Sequence, residues 1–190
     1  MTVTCVPWGS TTAGEPVRRW TVTSPTGWQA TFLDDGARWV GWQEPGGHEL
    51  VLGYPTLGAV EADTGFIGAI VGRYAGRIAH GSFQLGDTRY QIPVNDRGNA
   101  LHGGLRGTSS RVWRGEPVQD ADQVGVRFRL ISEDGDQGFP GRLEIQCTYL
   151  VRDREVEIRL SATTDAPTPV NLTGHAYFQL DGEQGVRREW

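Results

Sequence analysis

Three separate stretches of this chain carry side chains suited to proton transfer or to gripping a polar ligand. In TPVNLTGHAYFQL, Thr168 to Leu180, His175 sits among apolar and aromatic neighbours. An imidazole with a free pKa near 6.5 gives or takes a proton at neutral pH. Strand alternation puts Leu172, Gly174, Ala176 and Phe178 on one side and Thr173, His175, Tyr177 and Gln179 on the other, a row of hydrogen-bonding groups. The same pattern also suits a purely structural histidine. In NALHGGLRG, Asn99 to Gly107, His102 is followed by two glycines, as in a loop-borne polar site. In GAIVGRYAGRIAHG, Gly68 to Gly81, Arg73 and Arg77 stand among glycines that let a ligand approach the backbone, and their guanidinium groups offer planar donors to oxygen. Two surface arginines near a turn would read the same way.

Other chemistries find no template. The chain has no nucleophile elbow, no phosphate-binding glycine loop leading to a lysine and no HExxH. The acids of EDGDQGFPG, Glu133 to Gly141, lack the spacing of a calcium loop and read as turn formers. His102 and His175 lie 73 residues apart with no evident third ligand, so no metal is expected. Cys5 and Cys147 match no metal spacing. They read as a disulfide or, better suited to an acidic chain without a signal-like start, as free thiols in a reducing, cytoplasmic setting. Cys147 also fits as a small core residue.

The elements that must hold these groups read as strands. The chain has 190 residues, a formal charge of −5 and no lysine, all 18 basic residues being arginine. With no basic stripe and no apolar run of about 18 residues, neither nucleic acid nor a membrane is expected as partner. RWTVTSPTGWQATFL gives two β-rich runs around a Pro/Gly turn, and ARWVGW another. SFQLGDTRYQI reads as a hairpin turning at Gly86-Asp87. VGVRFRLI, RLEIQCTYL and EVEIRLSA alternate with their apolar residues on one face. Only Thr56 to Gly65 could hold a helical turn. Many short alternating strands between turn clusters predict an all-β sandwich or barrel-like domain, with DGEQGVRREW, residues 182–190 foremost, as an atypical tail.

Taken together, GAIVGRYAGRI, NALHGG with RGTSSRVW, EDGDQGFPG and TTDAPTPVNLTGHAYFQL occur in the order found in the aldose 1-epimerase (galactose mutarotase) family, and the resemblance covers about residues 20–181. LHGG and PVNLTGHAYF resemble the sugar enzymes more than the hexose-6-phosphate mutarotases. The resemblance implies a single partial domain over 1–190, a galactose mutarotase-like antiparallel β-sandwich (supersandwich) incomplete at its C-terminus. It implies cofactor-free interconversion of the α and β anomers of hexoses such as glucose or galactose. By matching position, His175 would be the general acid to the ring oxygen, and His102 would hydrogen-bond that oxygen or a neighbouring hydroxyl. Arg77 would donate to sugar hydroxyls and Tyr177 would line the pocket. The family usually has Asn at Gly76 and at Gly174, and Ser at Ala176. Its general base, a late Glu, and a sugar-binding Asp have no counterpart here, since Glu183 and Glu189 do not sit in the family motif. A non-catalytic carbohydrate-binding module and an inactive fragment are the alternative expectations.

Overall fold

Alternation of apolar and polar side chains builds two antiparallel sheets whose inner faces meet. A computed structural model describes residues 1–120 and 123–180; the tail 182–190, with Glu183 and Glu189, lies outside the described residues. The first sheet runs β1 (Thr2–Ser10), β2 (Pro16–Thr23), β3 (Gln29–Leu33), β4 (Trp39–Gln43) in spatial order. After the short helix α1 (Leu57–Glu61) come the brief strands β5 (Ile70–Val71) and β6 (Arg77–Ile78), the hairpin β7 (Ser82–Leu85) and β8 (Thr88–Gln91), and β9 (Ala100–Leu101). The second large sheet is β10 (Arg114–Asp120), β11 (Gln123–Ser132), β12 (Leu143–Arg152), β13 (Glu155–Thr164), again in sequence order. The last strand among the described residues, β14 (Thr173–Gly174), pairs antiparallel with β5.

The core lies between the large sheets. Trp20, Val22, Ala30, Phe32, Trp39 and Trp42 from the first meet Val126, Phe128, Ile145, Cys147, Tyr149 and Val151 from the second. Phe32 stacks on Tyr149 with ring centroids 4.3 Å apart, and the Tyr149 hydroxyl donates to the Ala37 carbonyl at 2.8 Å. Burying the phenol with its donor satisfied keeps the polar atom from opposing the fold. Cys147 is buried in this core and Cys5 is exposed; both are free thiols. A smaller cluster of Ile92, Ala100 and Phe139, with Tyr74 and Phe83 against it, seats the β7–β8 hairpin.

The expected all-β architecture is present, and five strands exceed the sequence reading: the two-residue β5, β6 and β9, too short to carry a pattern, and the longer β1 and β10. The longer two are outer strands of their sheets that contain proline: Pro7 in β1, beside a register shift between Pro7 and Gly9, and Pro117 in β10. Edge positions tolerate proline, and β1 and β10 bury almost none of their side chains, so alternation is weak in these two. The helical turn begins where expected, with the Thr56 hydroxyl accepting from the Ala59 N–H at 3.3 Å. No helix among the described residues is long and apolar enough to cross a membrane.

Phe32 is fully buried and stacked, so Phe32→Ala is expected to cost about 3–5 kcal/mol in denaturant unfolding. A loss below about 1 kcal/mol would contradict this account of the core.

Candidate functional site

Each imidazole is delivered by a different piece of backbone, and close main-chain approach brings the pieces together. The segment after β14 stays extended without forming a long strand. His175 N–H donates to the Ala69 carbonyl and Gly68 N–H to the His175 carbonyl, both at 2.9 Å. Farther on, Leu52 N–H donates to the Tyr177 carbonyl and Gln179 N–H to the Leu50 carbonyl. Leu172 and Ala176 pack against the core, while Phe178 is largely exposed and edges onto the Trp39 ring at 5.8 Å. The alternation leaves His175 and Tyr177 on the opposite side, their rings 5.3 Å apart.

His102 comes from the turn after β9, which pairs with β6 so that Leu101 faces Arg77. Its backbone has φ +51, and Gly103 follows at φ +93. A Cβ on Gly103 would lie 1.9 Å from the Gly72 carbonyl oxygen, so only glycine lets this turn lie against the β5 segment. Thr108 closes the turn by donating its hydroxyl to the Ile70 carbonyl at 2.6 Å. The result is an imidazole pair: His102 and His175 stand nearly perpendicular, centroids 5.2 Å apart, both half-buried.

The tautomer of His102 follows from one bond. Gly76 N–H donates to His102 Nδ1 at 3.0 Å, and a backbone amide can only donate. Nδ1 is therefore unprotonated, the neutral ring carries its proton on Nε2, and that N–H is a donor. Burial, then the neighbouring His175 and Arg77, hold the His102 pKa below the ordinary 6.5. The Gly76 bond acts in the same direction, since protonating Nδ1 would break it. The His175 ring nitrogens make no hydrogen bond to any described residue.

Arg77 is 57% exposed and its Nε donates to Asp96 at 2.7 Å, leaving the terminal amino groups unbonded to described residues. Arg73, four residues earlier, has the opposite fate. It is buried and donates to the carbonyls of Ser132, Glu133, Pro140 and Gly141 and to the Ser132 hydroxyl, all within 3.0 Å. It ties the Glu133–Gly141 turn to the site's backbone and offers a ligand nothing. Gly76 has φ +97 and faces open space, so glycine suits the backbone there; nothing in the structure requires glycine at 174. Tyr177 donates its hydroxyl to the Gly65 carbonyl at 3.3 Å.

Phe66, which carried no signal in the sequence, completes the cluster. Its ring lies 4.8 Å from that of His102 and 6.0 Å from that of His175. Among the described residues no group of three or more His, Cys, Asp or Glu is placed to hold a metal ion, and no carboxylate hydrogen-bonds either imidazole. A concavity of about 480 Å³ beside Arg129, Glu144, Gln146 and Thr163 touches neither imidazole. The carboxylate in its lining, Glu144, is paired with Arg142.

With this geometry in hand, comparison with known proteins is specific. The family model for aldose 1-epimerase matches residues 18–189. The chain is 39% identical over 135 residues to the galactose mutarotase of Mus musculus, covering 71% of this chain and 38% of that protein. It is 36% identical over 176 residues to the aldose 1-epimerase of Escherichia coli, covering 90% and 50%. Its fold is similar to a crystal structure of galactose 1-epimerase from Lactobacillus acidophilus, with a TM-score of 0.84, 28% identity and coverage of 93% of this chain and 53% of that one. An aldose epimerase homologue from C. elegans gives 0.76 at 36% identity, over 85% and 50%. The chain thus spans about half or less of the length of the relatives it matches.

Two outcomes follow from the site's construction. The His102 ring is expected to titrate below 6.5 by NMR, and unfolding free energy should fall as pH drops below 6.5, where the unfolded chain takes up the proton first. In His102→Gln that part of the acid slope disappears; an unchanged slope would refute the assignment. Arg73→Met should cost about 3 kcal/mol or more, each stranded acceptor contributing about 1–3 kcal/mol. Arg77→Met should stay within about 0.5 kcal/mol of the parent chain. Equal losses would show the two arginines to be equivalent.

Proposed function

The chain belongs to the aldose 1-epimerase family, and we propose that its imidazole pair holds an aldohexose such as glucose or galactose and supplies the acid side of anomer interconversion. The observation that supports this reading is the pairing of two rings 5.2 Å apart, one of them a fixed neutral Nε2–H donor. On this reading His175 gives a proton to the ring oxygen as the C1–O5 bond breaks and its electron pair goes to oxygen. The anomeric hydroxyl loses its proton to a base, and its electrons form the aldehyde C=O. Rotation about C1–C2 and closure in reverse yield the other anomer. His102 Nε2–H steadies the ring oxygen or an adjacent hydroxyl, the terminal amino groups of Arg77 reach sugar hydroxyls, Tyr177 lines the hollow, and Gly76 leaves room for the ligand. The steps need positioned proton donors and acceptors.

The base is the other half of the reaction. No carboxylate among the described residues hydrogen-bonds either imidazole, and a carboxylate base commonly contributes about 10²–10⁴-fold. The His102 Nε2–H and the terminal amino groups of Arg77, both suited to hydroxyls, also support a second reading, a carbohydrate-binding module that recognises hydroxyls without turning the sugar over. A cytoplasmic setting accords with the two free thiols.

Titration with D-glucose or D-galactose is expected to move the ring resonances of both His102 and His175. Polarimetry of fresh α-D-glucose is expected to show mutarotation above the uncatalysed rate, abolished in His175→Ala, with a ceiling about 10²–10⁴-fold below that of a site holding its carboxylate. Binding without turnover would select the module. Neither binding nor turnover by folded protein would defeat both readings.

A further inference from the structure

Phe66 occupies a backbone conformation that bulky residues seldom adopt, φ +58, and the turn around it is pinned on both sides. Asp63 does the pinning. Its Oδ1 accepts from the Tyr54 hydroxyl at 2.6 Å and from Gly65 N–H at 2.7 Å. Its Oδ2 accepts from Ile67 N–H at 3.0 Å and from Arg38 Nη1 at 2.8 Å. Arg38 Nη1 also donates to the Ile67 carbonyl at 2.6 Å, and Ala69 N–H to the Phe66 carbonyl at 3.0 Å. The Arg38 and Asp63 side chains are 4% and 1% exposed. A buried ion pair is weak support for stability against apolar packing, and its better-attested use is to select one conformation.

We propose that Phe66 is a positioning residue for the His102–His175 pair and that the Asp63–Arg38 pair serves to hold its ring in that place. The inference deepens the acid–base reading and rests on it for what the pair is used for. Three rings contact one another pairwise, at 4.8, 5.2 and 6.0 Å. His102 is held at Nδ1 by Gly76 and flanked by Phe66, so its ring cannot turn without losing one partner. The Phe66 ring also keeps water from that flank of His102. The charged or titratable groups facing His102 are His175 across the cluster and Arg77 from β6. Arg77 is paired with Asp96, and the Asp63 carboxylate behind the Phe66 turn is paired with Arg38.

The test uses the whole chain with Phe66→Leu, Phe66→Tyr and Asp63→Asn. The readouts are the NMR titration of the His102 ring without sugar, the Kd for D-galactose, and the melting temperature. Phe66→Leu is expected to move the His102 midpoint upward toward 6.5 and to weaken galactose about 2–10-fold, the span of an aromatic pair contribution. Phe66→Tyr should restore both, and Asp63→Asn should shift both in the direction of Phe66→Leu. If Asp63→Asn fails to fold, Tyr54→Phe, which removes one of the four donors to Asp63, should give the same signs with smaller size. A lowered melting temperature with titration and Kd unmoved makes Phe66 merely structural and overturns the proposal, as does Phe66→Tyr behaving like Phe66→Leu. Should galactose fail to bind the parent chain, the acid–base reading falls, while the sugar-free titration still decides the positioning role.

Discussion

The site depends on a main-chain contact that only glycine permits. At Gly103 the backbone runs so near the Gly72 carbonyl that a side chain's first carbon would sit 1.9 Å from the oxygen. A methyl group there would push the His102 turn off the β5 segment, and with it the ring that faces His175. Atoms at van der Waals contact cannot absorb such an overlap by small adjustments, because packed interiors have little slack. The β14–β5 pairing fixes the other imidazole to the same segment, so both rings take their positions from residues 68–73. That segment is itself held by Arg73, whose guanidinium collects carbonyls from the Glu133–Gly141 turn.

Much of the architecture can be read in the chain because the core lies between two sheets. Each inner strand has one dry face and one wet face, and a period of two survives in the residue order: Val126, Phe128 and Leu130 in β11, Ile145, Cys147 and Tyr149 in β12. β1 buries no residue and β10 only Gly115, which is why these two leave so faint a trace. Within the site, both histidines and Tyr177 are legible from their motifs, and the structure sets them together. The two arginines are legible only as a pair. Four residues separate them, and nothing in GRYAGR says that the first turns inward to bind carbonyls while the second stays in water.

Phe66 and Asp63 are illegible for a different reason. A phenylalanine between two short glycine-flanked steps looks like any core residue, and its function-bearing property is a positive φ set by tertiary hydrogen bonds. An aspartate three residues earlier reads as a turn former. Only in three dimensions do Tyr54, Arg38 and two amides converge on it. Local sequence reports what one turn prefers, whereas this turn is held against its preference by distant partners.

The electrostatics of the pair limit what chemistry it can support. Two unit charges about 5 Å apart repel by on the order of 3 kcal/mol at an effective dielectric of about 20. Burial first, then His175 and Arg77, already disfavour the charged form of His102, and the Gly76 N–H excludes a proton from its Nδ1. Charging both rings at once would meet all of these costs together. On the proposed reading, ring opening of a cyclic sugar takes one proton at the ring oxygen while a neighbouring neutral donor steadies the same atom or the one beside it. A doubly charged pair would bind the oxygen's lone pairs strongly from both sides but would return neither proton easily on closure, and a doubly neutral pair would have only weak acids to offer. One fixed neutral donor beside one unencumbered imidazole avoids both failures, and the Gly76 amide is the group that makes the two histidines unequal.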